Sequence, residues 1–153
     1  MDKAEAKTKS IIVEYEFKHP PEKVWRALTE PKLIEAWLMP NDFRPIVGHR
    51  FTFRTTPAPG WDGICHCEVL VVEPHRRLSY TWRGGSSERI GYGAVLDTVV
   101  TWTLAPLADG GTRLQLEHSG FTPDKESTYE RLKNGWGGEK MRASLARVVD
   151  GLG

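Results

Sequence analysis

This 153-residue sequence has few of the features that assign a protein to a functional class directly. No apolar run approaches the roughly 20 residues that a helix needs to cross a bilayer, so we expect no membrane span. Cysteine occurs only at Cys65 and Cys67, which are too close in sequence to cross-link separate elements. The sequence also has no large excess of either charge, because 21 Lys and Arg residues are balanced by 20 Asp and Glu residues. The sequence therefore predicts neither a membrane nor a nucleic acid as a partner.

The N-terminus lacks the apolar core and cleavage site of a secretory signal. We therefore expect residues 1–9 to form a flexible, solvated arm, and the protein to be cytoplasmic. Residues 10–153 have the length of one domain, and a hydrophobic content of 39% is sufficient for one core. The sequence thus predicts a single domain that follows a short arm.

Alternation of apolar and polar residues, which is typical of half-buried strands, dominates the middle of the chain. Two short stretches of helical spacing follow the first strand, and each ends before a proline, Pro31 or Pro40. The polar segment 122–133 is expected to contain one helical turn. The last element is an amphipathic helix. Its apolar stripe consists of Met141, Leu145, Val148, Val149 and Leu152. Because so many strands need a cover for their apolar face, we expect a curved antiparallel sheet around this helix.

Several segments carry a family resemblance. The opening FKHPPEKVWRALTEP (17–31) is followed by Trp37. Further segments are GHRFTF (48–53), VEPHRRLSYTW (72–82), VVTWTL (99–104), GGTRLQLEHSGF (110–121) and the pair Gly135-Trp136. Together they resemble the START-like (SRPBCC) superfamily over roughly residues 10–150. More narrowly, they resemble the bacterial branch related to the C-terminal domain of the heat-shock protein 90 ATPase activator.

The resemblance implies an α+β helix-grip fold. In that fold a curved antiparallel sheet of about six or seven strands surrounds a long C-terminal helix, and two short helices follow the first strand. A cavity often lies between sheet and helix, and family members bind apolar small molecules, activate a chaperone or shape polyketides. The sequence departs from the branch in two places. Leu38-Met39 stand where a second tryptophan is common, and the glycine-rich loop 84–93 is long enough to reshape the mouth of the cavity.

Aromatic residues on the predicted strands are the candidates for contact with a ligand. Tyr80 and Trp82 share a face, and a phenol or an indole N–H can orient the polar group of an apolar ligand. His118 continues the inward face of Leu114 and Leu116, where it could bind or protonate a ligand. Alternatively, the aromatic residues form an ordinary core, and His118 is bonded to backbone. The candidate residues are Phe51, Phe53, Tyr80, Trp82, Trp102, His118 and Met141.

The tripeptide Cys65-His66-Cys67 contains side chains that suit zinc. In a strand, however, both cysteines face one side and His66 the other, and no second cluster has zinc spacing. We therefore expect two small buried side chains at Cys65 and Cys67 and predict no metal and no cofactor.

No catalytic signature is present, since the sequence has neither a phosphate-binding loop nor a serine nucleophile elbow. The leading expectation is a protein that binds an apolar or amphipathic small molecule in an internal cavity. One alternative, suggested by the resemblance, is a module that interacts with a chaperone. The other is a cyclase- or hydrolase-like enzyme that uses His118, Tyr80 and Glu68 in the same cavity. Both a monomer and a homodimer remain open.

Overall fold

The computed structural model describes residues 8–55, 63–84 and 96–152, apart from the side chain of Ser127. Residues 1–7 of the predicted arm and residues 85–93 of the glycine-rich loop lie outside this part of the chain. The elements are β1 (Lys9–Phe17), α1 (Pro21–Thr29), α2 (Pro31–Trp37), β2 (Arg50–Arg54), β3 (Ile64–Glu73), β4 (Arg77–Gly84), β5 (Leu96–Pro106), β6 (Thr112–Phe121), a 3₁₀ turn (Pro123–Lys125), α3 (Glu126–Gly137) and α4 (Glu139–Asp150).

The six strands form one curved, open antiparallel sheet in the order β1-β6-β5-β4-β3-β2. Consecutive strands pair from β2 to β6, and β1 returns to pair with β6. Along β5, buried residues alternate with more exposed ones, so one face of the sheet is apolar and lines the core. The predicted α+β helix-grip fold is confirmed. The first strand begins at Lys9, which the sequence had placed in the arm.

The turn between β5 and β6 depends on glycine. Gly110 has a φ of +91°, a conformation that side-chain-bearing residues rarely adopt, and its N–H donates to the carbonyl of Leu107. Asp109 supports the turn because its carboxylate accepts a hydrogen bond from the N–H of Gly111. Together these bonds form the hairpin turn that joins β5 to β6.

The two short helices are fixed to the sheet by tryptophan. Proline at the first position of each helix leaves no backbone N–H unsatisfied there. Trp37 donates its indole N–H to the carbonyl of Ala27 at 2.8 Å and packs edge-to-face on Trp102, with ring centroids 5.8 Å apart. These contacts make Trp37 a packing anchor between the short helices and the sheet.

The C-terminal part contains more helix than expected. The segment predicted to hold one helical turn instead forms the 3₁₀ turn and α3, and Gly138, in an extended conformation, separates α3 from α4. Helix α4 carries the predicted apolar stripe, with Leu145 and Val149 fully buried. The sequence signal for α3 was weak because its inward side chains are spaced along a mostly polar segment. Among the described residues, no helix is long and apolar enough to span a bilayer.

Candidate functional site

Four predicted aromatic residues come together on the inner face of β2 and β4. We call Phe51, Phe53, Tyr80 and Trp82 the aromatic cluster. Alternation turns all four inward, and each is at most 5% exposed. Ring centroids lie 5.3 Å apart for Phe51 and Tyr80, and 5.2 Å apart for Phe53 and Trp82. The cluster is a continuous apolar surface of the kind that binds aromatic ligands or fills a core.

Phe43, which the sequence analysis did not select, also belongs to this surface. Its ring is buried and packs edge-to-face on Phe51, with centroids 5.0 Å apart. Asn41 fixes the preceding loop because its side-chain oxygen accepts the N–H of Phe43 at 3.0 Å. Phe43 lies in a loop with no hydrophobic periodicity, so no strand or helix pattern identified it.

Trp136, on α3, reaches the interior from the helical side. Its ring is 5.8 Å from Trp82 and 5.7 Å from Trp102, measured between centroids. Trp136 belongs to the segments that carry the family resemblance, but it is not among the candidate residues predicted from the sequence. Its spacing of four residues from Leu132 was the signal that could have placed it on the buried face of a helix.

His118 lies at the centre of a buried chain of hydrogen bonds. The indole N–H of Trp136 donates to Nδ1 of His118 at 3.1 Å, so this nitrogen carries no proton. The Nε2–H therefore donates to Oγ1 of Thr98 at 2.8 Å, and that hydroxyl donates to the carbonyl of Trp82 at 2.9 Å. Burial lowers the pKa of His118 to about 3, so the imidazole is neutral near pH 7. In this arrangement both ring nitrogens are engaged by side chains of the protein.

Tyr80 and Trp82 differ from His118 in that each keeps an unpaired donor. The hydroxyl oxygen of Tyr80 accepts the indole N–H of Trp102 at 3.0 Å. Within the described part of the chain, no acceptor lies within hydrogen-bonding distance of the Tyr80 O–H or of the Trp82 indole N–H. Burial raises the pKa of Tyr80, which keeps its phenol protonated. Two buried donors thus lie two residues apart on the inner face of β4.

The remaining two candidates lie further under the helices. The ring of Trp102 is fully buried next to Tyr15 and Trp37, and its N–H is engaged by Tyr80. Met141 on α4 is partly buried and packs against the edge of the core. Neither residue presents a free polar group to a ligand.

The three groups named for an enzyme do not converge. Glu68 lies on the outer face of the sheet, where its carboxylate is 3.8 Å from Arg50. Tyr80 and His118 face the interior on the other side of the sheet. The arrangement therefore offers no acid–base pair formed by these residues.

The cysteine tripeptide adopts the predicted orientation. Cys65 and Cys67 are buried and are not joined in a disulfide, whereas His66 is exposed on the outer face. Burial raises the pKa of the Cys67 thiol, so the thiol is protonated and behaves as a small apolar group. No group of three or more ligating side chains suited to a metal ion occurs in residues 8–55, 63–84 and 96–152.

Comparison with known proteins gives the family. Residues 18–149 match the family described as Activator of Hsp90 ATPase homolog 1-like protein. No curated protein matches the chain. Among solved structures, protein MLL2253 from Mesorhizobium loti is similar, with 44% identity, a TM-score of 0.81, and coverage of 95% of this chain and 99% of that one.

Two further solved structures share the fold. CalU16 from Micromonospora echinospora has 27% identity and a TM-score of 0.67, with coverage of 94% of this chain and 76% of that one. DynU16, a protein in the dynemicin biosynthetic locus, has 24% identity and a TM-score of 0.71. The match covers 92% of this chain and 47% of DynU16, so this chain spans about half the length of DynU16. That likeness shows the fold alone.

The family match extends over most of the chain, and the strand order and helices agree with the helix-grip fold. The chain therefore belongs to the family of Activator of Hsp90 ATPase homolog 1-like proteins, within the START-like (SRPBCC) superfamily.

Proposed function

We propose that this protein binds a small, neutral, largely apolar molecule that carries a hydrogen-bond acceptor oxygen. The ligand lies against the aromatic cluster, and its acceptor receives the O–H of Tyr80 or the N–H of Trp82. The proposal depends on this pair of buried donors on one strand face, for which the described part of the chain offers no acceptor.

A buried donor that lacks an acceptor costs the folded protein about 1–3 kcal/mol. A ligand oxygen that accepts one of these hydrogen bonds recovers much of that free energy. The rest of the ligand is stabilised by burial of apolar surface, at about 25 cal/mol per Å². The aromatic cluster supplies such a surface, together with Phe43.

The expected ligand is neutral because the surroundings are. Among the described residues, none of the buried side chains is charged, and buried His118 is neutral. A carboxylate or an ammonium group would lose its hydration here without gaining an opposite charge. A ketone, ester or amide oxygen suits the site better.

Two ligands of similar shape test the proposal. Benzophenone has a carbonyl acceptor, and diphenylmethane has a CH₂ group in its place. Isothermal titration calorimetry should show benzophenone binding about tenfold more tightly, which corresponds to about one hydrogen bond. The variants Tyr80→Phe and Trp82→Phe should each reduce this ratio, and the double variant should abolish it.

Tyr15→Phe provides the matched control. The Tyr15 hydroxyl is also buried but already donates to the carbonyl of Trp136 at 2.6 Å, so its loss should leave the affinity ratio unchanged. Equal affinities of the wild-type protein for the two compounds, or no binding of either, would contradict the proposal.

The family description favours a second candidate, an interaction with the chaperone whose ATPase activator names the family. A pull-down with the purified chaperone, followed by an ATPase assay, separates the two candidates. Stoichiometric capture with stimulation of the ATPase, and no ketone binding, would favour the chaperone.

A further inference from the structure

The indole of Trp136 is held in the way that a protein site holds a planar aromatic ligand. Three rings surround it, with centroid distances of 5.8 Å to Trp82, 5.7 Å to Trp102 and 6.2 Å to His118. Its N–H donates to Nδ1 of His118 at 3.1 Å. Apolar faces around the ring and one polar group that fixes its orientation are the usual features of such a site.

The backbone around Trp136 is rich in glycine. Glycine stands at positions 135, 137 and 138, and glycine adopts many backbone conformations at little steric cost. Gly138 is already extended, with φ −77° and ψ 164°, and it ends α3. The indole therefore lies on a segment that can change conformation without strain from neighbouring side chains.

The contacts that hold α3 on the sheet are strongest away from residues 135–138. The ring of Tyr129 packs on Phe121, with centroids 5.4 Å apart. In the segment 135–138, the Tyr15 hydroxyl donates to the carbonyl of Trp136 at 2.6 Å, and the exposed Arg142 donates to the carbonyl of Gly137 at 3.2 Å. Movement of this segment thus breaks two buried hydrogen bonds, at the carbonyl and the indole N–H of Trp136, and one exposed bond from Arg142.

We infer that the ligand occupies the space that the Trp136 indole fills, and that movement of residues 135–138 opens this space. The inference rests on the proposed function and adds a second polar requirement. Withdrawal of the indole leaves Nδ1 of His118 as a buried acceptor without a donor. The ligand is therefore a planar aromatic molecule with an O–H or N–H donor for His118 and a carbonyl oxygen for Tyr80 or Trp82.

The test compares 4-hydroxybenzophenone with 4-methoxybenzophenone in the wild-type protein at pH 6, where the phenol is protonated. Calorimetry should show the hydroxy compound binding about tenfold more tightly, because the methoxy compound leaves His118 without a donor. NMR should show that the indole N–H of Trp136 exchanges faster with solvent when either ketone is bound. Equal affinities, or an indole N–H that stays protected with ligand bound, would overturn the inference.

The variant Trp136→Phe sharpens the test. Its smaller ring has no N–H, so His118 lacks a donor before the ligand binds, and the affinity for the hydroxy compound should rise above that of the wild type. A fall in that affinity, in a variant that unfolds cooperatively, would count against the inference. If benzophenone still exceeds diphenylmethane through Tyr80 but the hydroxyl group has no effect, only this inference fails. If no ketone binds, the proposed function fails with it.

Discussion

The two halves of the sheet differ in whether their buried polar groups are hydrogen-bonded within the protein. Under α3, the hydrogen bonds of Tyr15, Thr98 and His118 are all made within the protein, to Trp136, Trp82 and each other. On β4, the phenol of Tyr80 and the indole of Trp82 are just as buried, yet each keeps a donor without a protein acceptor in the described part of the chain. A paired network stabilises one arrangement, whereas unpaired donors cost free energy unless something binds them. In the protein without ligand, the contrast separates a structural half from a candidate binding half.

Removal of the Trp136 side chain should break the structural half most severely. Trp136→Ala leaves a large cavity and takes the donor from His118, so we expect a loss of about 3–5 kcal/mol in the free energy of unfolding. Urea denaturation followed by circular dichroism measures it. The control is Trp25→Ala, because Trp25 is buried as well, at 8% exposure, but its removal takes no donor from His118 and should cost less. A loss at Trp136 no greater than at Trp25 would contradict its central role.

Acid should lower the free energy of unfolding through His118, which belongs to the structural half. Burial lowers its pKa from 6.5 to about 3, so between these values the unfolded chain binds a proton that the folded protein does not. Protons then favour unfolding, and this group's contribution to stability falls by about 1.4 kcal/mol per pH unit as the pH drops below 6.5.

Chemical denaturation at several pH values tests this linkage by comparison with His118→Gln, which lacks the titrating group. The difference in stability between wild type and variant should shrink steadily from pH 6.5 toward pH 3. A difference that is independent of pH would show that His118 is protonated in the folded protein.

A smaller effect should distinguish the two buried phenols. Tyr15→Phe leaves the carbonyl of Trp136 without its donor, so we expect a loss of about 1–2 kcal/mol. Tyr80→Phe should cost less, since it removes an unpaired donor together with the bond from Trp102. Thermal unfolding of both variants gives the order, and a reversed order would mean that the Tyr80 hydroxyl is the better bonded one.

The smallest effect concerns two indoles on the inner face. Trp102→Phe removes a hydrogen bond to Tyr80, whereas Trp82→Phe removes an N–H that has no acceptor among the residues described. We expect Trp102→Phe to cost about 1 kcal/mol more than Trp82→Phe. Urea midpoints of the two variants measure the difference, and equal midpoints would indicate that both N–H groups are paired.

Period-two alternation was sufficient to predict much of the binding half. It turned Phe51, Phe53, Tyr80 and Trp82 inward, and these residues do form one surface. Phe43 was not predicted, because a loop has no periodicity that marks its inward residues. The apolar face of a strand thus follows from sequence, but the loop that covers it does not.

The structural half was harder to predict because its hydrogen bonds join distant parts of the chain. His118 was predicted as a ligand contact, with a bond to backbone as the alternative, yet its partners are side chains on α3 and β5. The polar segment that forms α3 gave too little apolar signal for a three-turn helix. Which donors stay unpaired depends on these tertiary contacts, so the sequence named Tyr80 and His118 together without distinguishing them.

The most direct measurement follows the Trp82 indole N–H by ¹⁵N-edited NMR during titration, with its signal assigned by its absence in Trp82→Phe. The account predicts that benzophenone shifts this proton downfield as a hydrogen bond forms, and that diphenylmethane does not. The Tyr80→Phe variant should retain the shift, since the two donors are separate. If benzophenone binds and the Trp82 signal stays in place in both proteins, the aromatic cluster is core and the binding site lies elsewhere.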